Sequence, residues 1–285
     1  MSNPISLDQQ TVIRQIDPQL HVFAQPFNRF APFGWRHFCK VGIRMTAVVL
    51  NEDKDILLLY PIPLVPSIAE KLRSIGNVKY IHADLGHYMS VGDYVTEYPK
   101  ATLICPPGLM EKLNRKGIKF TSAFQHADNL DPPERFLEGL DSLETRVLRG
   151  FITYPTAWYH KPSRTLIQSD LMMNMPCDEQ YSRTGESTER GPITRTFNQK
   201  ANPYNIWHKI MIWYAAGFQV KTMREDAIHI SKWNFERVIP SHGDLMMNGG
   251  TDAWKELYRW YIDSTQGHSS FWERALLFSR RIFLG

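Results

Sequence analysis

The sequence predicts an α/β protein in which strands and helices are stacked in layers. Short β-branched and apolar runs alternate with short helical stretches, and glycine and proline mark their ends. Hydrophobic residues make up 43% of the 285-residue chain and charged residues 22%, an ordinary globular balance that can bury a large core. Polar residues able to bind metal also fall just after several predicted strands, where α/β sheets open into a crevice.

The first elements form a hairpin. Arg44-Met-Thr-Ala-Val-Val-Leu50 and Ile56-Leu-Leu-Leu-Tyr60 flank the turn-forming run Asn51-Glu-Asp-Lys-Asp55. Pro61, Pro63 and Pro66 end the second strand, because proline cannot donate to a ladder. Ser67 is placed to cap a helix over 68–75 that stops at Gly76. A strand over 78–81 runs into the polar loop from His82 to His87. A helix over 91–98, a strand over 101–105 and a helix over 109–115 follow. The charged stretch 128–138 reads as a surface loop leading to a strand near 145–148.

A second hairpin pairs Thr156-Ala-Trp-Tyr159 with Thr165-Leu-Ile-Gln168 around the turn His160-Lys-Pro-Ser-Arg164, and it ends at Ser169-Asp170. His160, Lys161 and Arg164 read as exposed turn residues. The polar stretch 181–196, with Gly185, Gly191 and Pro192, reads as a mobile loop. Aromatic-rich helices over 207–233 read as core more simply than as the wall of a substrate pocket. A strand over 237–240 then closes on Ser241-His-Gly-Asp244. Trp254, Leu257, Tyr258 and Tyr261 recur at i, i+3, i+4 and i+7 and mark one buried helix face. The basic, apolar stretch 271–283 is expected to pack against the body of the protein.

Composition narrows the partners. A formal charge of +4 is small for this length and gives no reason to expect nucleic acid. Cys39, Cys105 and Cys177 are scattered and form no CxxC pair, which fits a reducing, cytoplasmic compartment. Residues 1–19 are polar, without a signal-peptide run, and the apolar helix over 206–218 contains His208 and Lys209 and is too short for a bilayer. The expected partner is a small-molecule substrate, with neither nucleic acid nor membrane.

Three motifs carry the candidate chemistry: His82-Ala-Asp84-Leu-Gly-His87, Asp170, and His242 with Gly243. Imidazole and carboxylate suit zinc, iron or manganese, and a catalytic site needs about three protein ligands plus an open position. His87, Asp170 and His242 can supply that set. Taken singly each motif has a plainer reading: a solvated turn, a helix N-cap at Asp170, a satisfied turn histidine at His242. His126 and His160 are weaker alternative ligands.

Taken in order, these motifs resemble the metallo-β-lactamase superfamily from about Ile16 to Trp260. That family has a His-x-His-x-Asp-His loop after one strand, a Gly-Asp step after a later one and a His-Gly step after the last. His82 and His87 match the outer histidines, Ser169-Asp170 the Gly-Asp step, and Ser241-His242-Gly243 the final motif. Further motifs give a narrower likeness, to a branch of the superfamily described as a domain of unknown function. They are Gly42-Ile-Arg-Met-Thr46, His87-Tyr88, Tyr98-Pro99, Pro107-Gly108-Leu109, His160-Lys-Pro-Ser-Arg-Thr-Leu166, Ser169-Asp170-Leu171 and Trp233.

The resemblance implies a four-layer αββα sandwich as a single domain over 1–285, with its core at about 16–262 and a C-terminal helical extension over 263–285. Two departures bear on the metal. Asp84 and Gly86 stand where the family has a histidine and an aspartate, and Ile152-Thr-Tyr-Pro155 stands where its third-motif histidine falls, with Thr153 or Tyr154 in that place. The likeness therefore implies one divalent metal, zinc first and iron or manganese otherwise, on His87, Asp170 and His242. His82 and Asp84 would remain at the depleted first position as ligand, base or proton shuttle. The implied activity is metal-dependent hydrolysis of an ester, thioester, lactone or amide. The alternatives are a binding protein that kept the fold without the metal, and a metal-dependent redox or isomerisation enzyme.

Overall fold

The computed structural model describes residues 5–28, 39–126, 131–189 and 192–263. A short helix α1 (Leu7–Gln10), closed by a capping box between Ser6 and Gln9, leads into a seven-stranded sheet. Its strands lie in chain order: β1 (Val12–Asp17), β2 (Leu20–Gln25), β3 (Ile43–Val49), β4 (Asp55–Leu59), β5 (Asn77–His82), β6 (Thr102–Cys105) and β7 (Ser122–Gln125). β1 to β4 pair antiparallel, with short turns joining β1 to β2 and β3 to β4. From β4 to β7 the pairing is parallel, and the crossovers this requires are α2 (Pro66–Ile75), α3 (Val91–Glu97) and α4 (Leu109–Arg115).

The second sheet has four strands in the order β11-β10-β9-β8: β8 (Leu143–Val147), β9 (Thr156–His160), β10 (Thr165–Gln168) and β11 (Arg237–Pro240). Between β10 and β11 lie α5 (Asp178–Tyr181), α6 (Pro192–Lys200), α7 (Ile206–Ile210), a π-helical turn at Met211–Ala216, and α8 (Val220–Ser231). After β11 come α9 (Gly250–Leu257) and α10 (Arg259–Ile262).

Side-chain alternation along the strands stacks these elements into four layers. In β4, Ile56 and Leu58 face Ile68 and Leu72 of α2, Val91 and Tyr94 of α3, and Leu109 and Leu113 of α4. Leu57 and Leu59 point the other way, into a core shared with Trp158, Ile167 and Ile239 of the second sheet. Ala157, Tyr159, Leu166 and Val238, on the far side of that sheet, pack against Met223, Ala227 and Ile230 of α8 and against Trp254, Leu257, Tyr258 and Tyr261. The order is helix, sheet, sheet, helix: an αββα sandwich, with the four-residue face read from the C-terminal periodicity fully buried.

Several expectations are corrected. Ser67 does not cap α2; Val65 is the N-cap and Pro66 sits in the first turn, where its missing N–H costs nothing. Residues 181–196 are not one loop, since α5 ends at Tyr181 and α6 begins at Pro192. His160 is not exposed: it is the last residue of β9, fully buried, with Nδ1 2.7 Å from Ser163 Oγ. Arg164 ties the hairpin turn to the approach to β11, donating to the Asn234 carbonyl at 2.7 Å and pairing with Glu236 at 3.2 Å. The stretch 271–283 lies outside the described residues, among which no helix is long and apolar enough to cross a membrane.

Candidate metal centre

Three strand ends meet at one edge of the sandwich. β5 runs out at His82 into the loop carrying His87, while the parallel pair β10 and β11 ends side by side, placing Asp170 near His242. The Ser241 amide still donates to the Gln168 carbonyl at 3.0 Å, which extends that register to the site. His87 Nε2 lies 3.1 Å and His242 Nε2 3.3 Å from the same oxygen, Asp170 Oδ1. One ligand atom from each of the three residues falls within 4.8 Å of the others. The two imidazoles are almost covered, and the Asp170 side chain keeps 23% of its surface open, so the carboxylate side faces solvent. Burial pushes the Asp170 carboxyl up, but the two imidazoles more than offset this and hold it well below the usual carboxylate range.

The chain around these residues fixes their orientation. His242 Nδ1 lies 2.7 Å from the Gly42 carbonyl. A carbonyl only accepts, so Nδ1 carries a proton and Nε2 is the nitrogen turned to Asp170, where a cation could take the place of a proton. Arg44, fully buried, donates from one nitrogen to the carbonyls of Pro240 and Gly243, both at 2.7 Å, and from another to Glu179 at 2.7 Å. Gln180 Nε2 adds a bond to the Gly243 carbonyl at 3.0 Å. The backbone on both sides of His242 is therefore clamped. After Asp170, Gln168 Oε1 accepts from the amides of Leu171 and Met172 at 2.8 and 3.1 Å and turns the chain.

Asp84 belongs to this scaffold and not to the converging set. Its Oδ1 accepts from the amides of Gly86 and His87 at 2.9 and 2.8 Å, and its Oδ2 accepts from Ser169 Oγ at 2.6 Å. Both oxygens thus join the His87 loop to the end of β10. His82 faces the core between the sheets, fully buried, with neither ring nitrogen hydrogen-bonded. Its neighbours are Trp158 at 5.1 Å, Tyr60 at 5.3 Å and His126 at 5.8 Å between ring centroids. The Tyr60 ring packs edge-on against both His82 and His87, so an aromatic ring adjoins each of them. His160 pairs with Thr165 at the start of β10, the opposite end of that strand from Asp170.

Gly86 and Thr153 meet at the site. A Cβ on Gly86 would lie 2.8 Å from Asp170 Oδ2 and 3.6 Å from the Thr153 methyl. Thr153 thus comes up to the site, while the Tyr154 ring turns to Phe218 at 6.4 Å. Gly86→Asp is accordingly expected to add no second metal and to weaken the first, because its own Cβ presses on Asp170. Metal content by elemental analysis checks this.

Buried neutral imidazoles give the fold an acid limit. Burial lowers His126 and His208 each to about 4. The unfolded chain, with ordinary histidines near 6.5, binds these protons first. Stability is therefore complete above about pH 6.5 and is lost as pH falls towards 4. Tm should drop by on the order of 10 °C between about pH 7 and pH 4.5. The drop should shrink in His208→Leu, as read by thermal melts across that range.

Beside the two histidines is a cavity of about 110 Å³, walled by Phe27, Ile43, Pro61 and Pro63, with Tyr88 at its rim. The signals for His87, Asp170 and His242 were in the sequence. Arg44, Gln180 and the Gly42 carbonyl were missed as supports of the site. Arg44 alone left a trace there, as a charge inside an otherwise apolar strand.

No protein-family model and no curated protein matches the chain. Solved structures do. The DIM-1 metallo-β-lactamase exposed to ceftazidime superposes with a TM-score of 0.54 at 11% identity, over 90% of this chain and 98% of that one. FIM-1 from Pseudomonas aeruginosa, in its mono-zinc form, gives 0.55 at 10% identity over 88% and 96%. The metal-soaked Flv1 flavodiiron core from Synechocystis gives 0.60 at 14% identity over 88% of this chain and 60% of that one.

Proposed function

We propose, on the premise that this chain has the metallo-β-lactamase fold, that it is a metal-dependent hydrolase acting on small molecules through a single divalent cation. The observation that carries this is the convergence of His87, Asp170 and His242 from three strand ends, with His242 oriented by the Gly42 carbonyl so that Nε2 faces the other two. Two imidazoles and a carboxylate fit zinc first and accept iron or manganese. A cation held there supplies Lewis acidity, acidifying water and polarising a carbonyl. The protein's own part is placement. Asp170 brings a permanent negative charge on the open side, Asp84 fixes His87 through the loop amides, and the Gly42 carbonyl fixes His242. The apolar walls of Phe27, Ile43, Pro61 and Pro63 favour the hydrocarbon part of an ester, thioester, lactone or amide. In this reading Asp84 positions His87 instead of moving a proton, since both of its oxygens are occupied.

Protein loaded with zinc, manganese or iron is tested against p-nitrophenyl acetate, a γ-lactone and an acyl thioester. Hydrolysis that a chelator removes, and that folded His242→Ala lacks, supports the reading. Bound metal with no hydrolysis in any arm would redirect it to redox or isomerisation chemistry. Gly86 and Thr153, which stand where the family has two ligands, favour one further reading: a metal-free binding protein, marked by failure to take up any of the three metals.

A further inference from the structure

Away from the metal centre, α6 and α7 line an open cavity of about 510 Å³, within the size range of small-molecule sites. Ile193, Phe197, Trp207 and Met211 give it an apolar wall. Two polar lining groups stand out against that wall. Lys200 holds its ammonium 4.5 Å from the centre of the Trp207 ring, a cation on an aromatic face at the cavity. His208 is buried, with the Asn202 backbone as its hydrogen-bond partner, and burial keeps the ring neutral. Trp207 and Ile206 are also about half exposed, and Tyr204 more so, which leaves an apolar margin around the opening.

We propose that this cavity is a binding site for an apolar carboxylate: a hydrocarbon body against Ile193, Phe197, Trp207 and Met211, and an anionic head that accepts from Lys200. The cation calls for an anionic acceptor, and the apolar wall calls for an alkyl or aryl body. A cationic amphiphile would meet Lys200 with like charge. This site is independent of the metal reading, because none of its lining residues belongs to the metal centre.

Full-length protein is titrated with dodecanoate below its micelle concentration, by calorimetry and by Trp207 fluorescence, beside dodecyltrimethylammonium as the cation of equal chain length. Saturable binding at one site is expected, at least about tenfold tighter for dodecanoate than for the cation. Lys200→Glu, a change at the cavity edge, should weaken dodecanoate about tenfold and reduce the difference between the two probes. Equal binding of both probes, no effect of Lys200→Glu, or no saturable binding by the wild-type chain overturns the proposal.

Discussion

Arg44→Met is expected to cost about 3 kcal/mol of stability and to weaken metal binding about 10- to 100-fold. The guanidinium is fully covered and serves three acceptors at once: the Pro240 and Gly243 carbonyls and Glu179. Methionine fills the volume, leaves the Pro240 carbonyl buried without its donor, and leaves the Gly243 carbonyl with Gln180 alone. Glu179 keeps Arg14 as a partner, which limits the loss on that side. The carbonyls bracket His242, so the same change loosens the ligand that the Gly42 carbonyl orients. Urea unfolding with an unchanged m-value measures the first effect and a competition titration with a metallochromic dye measures the second. A loss below about 1 kcal/mol with unaltered affinity would remove Arg44 from the support of the site.

Gly243→Ala should be at least as damaging. Gly243 has φ +88°, a left-handed backbone that side chains rarely adopt. Its Cβ would lie 2.3 Å from the Asn174 carbonyl oxygen and 2.4 Å from the carbonyl carbon. Both obstacles are backbone, and Asn174 is itself fixed: its amide donates to the His242 carbonyl and its own carbonyl accepts from the Asp244 amide. One of the two segments must move, at a cost on the order of 3 kcal/mol. The displaced segment carries His242, so metal affinity should fall together with Tm. Gly42→Ala should be costly as well: Gly42 has φ +59°, and its Cβ would lie 2.6 Å from Gln180 Cβ, next to the bond that Gln180 makes to Gly243.

Much of the fold could be read along the chain because its punctuation is local. The hairpin at 44–60 announced itself by two apolar runs around a polar turn, and α4 and β11 match their expected bounds because glycine and proline mark their approaches. α6 escaped for a physical reason. Pro192 and the preceding glycine look like a break, yet proline is well suited to the first turn of a helix, and the only apolar signal inside is Ile193 with Phe197 one turn on. The β1–β2 hairpin was not read at all, and it starts the sheet at Val12, ahead of the expected core boundary.

The site divides in the same way. His87, Asp170 and His242 were legible because each follows a strand, and strand ends of one register meet. The supports were not legible. Gly42 and His242 are 200 positions apart and meet through a backbone carbonyl, which leaves no mark in residue type. The inward turn of His82 depends on the parity of β5 and on Tyr60, neither of which can be set from the motif alone.

Metal content of the purified protein tests the central claim most directly, measured by elemental analysis beside Asp170→Ala after loading with zinc and removal of free ion. One bound equivalent in the wild type, and none in Asp170→Ala at unchanged fold, is the result that a single site on His87, Asp170 and His242 predicts. Two equivalents, or one retained in Asp170→Ala, would contradict it.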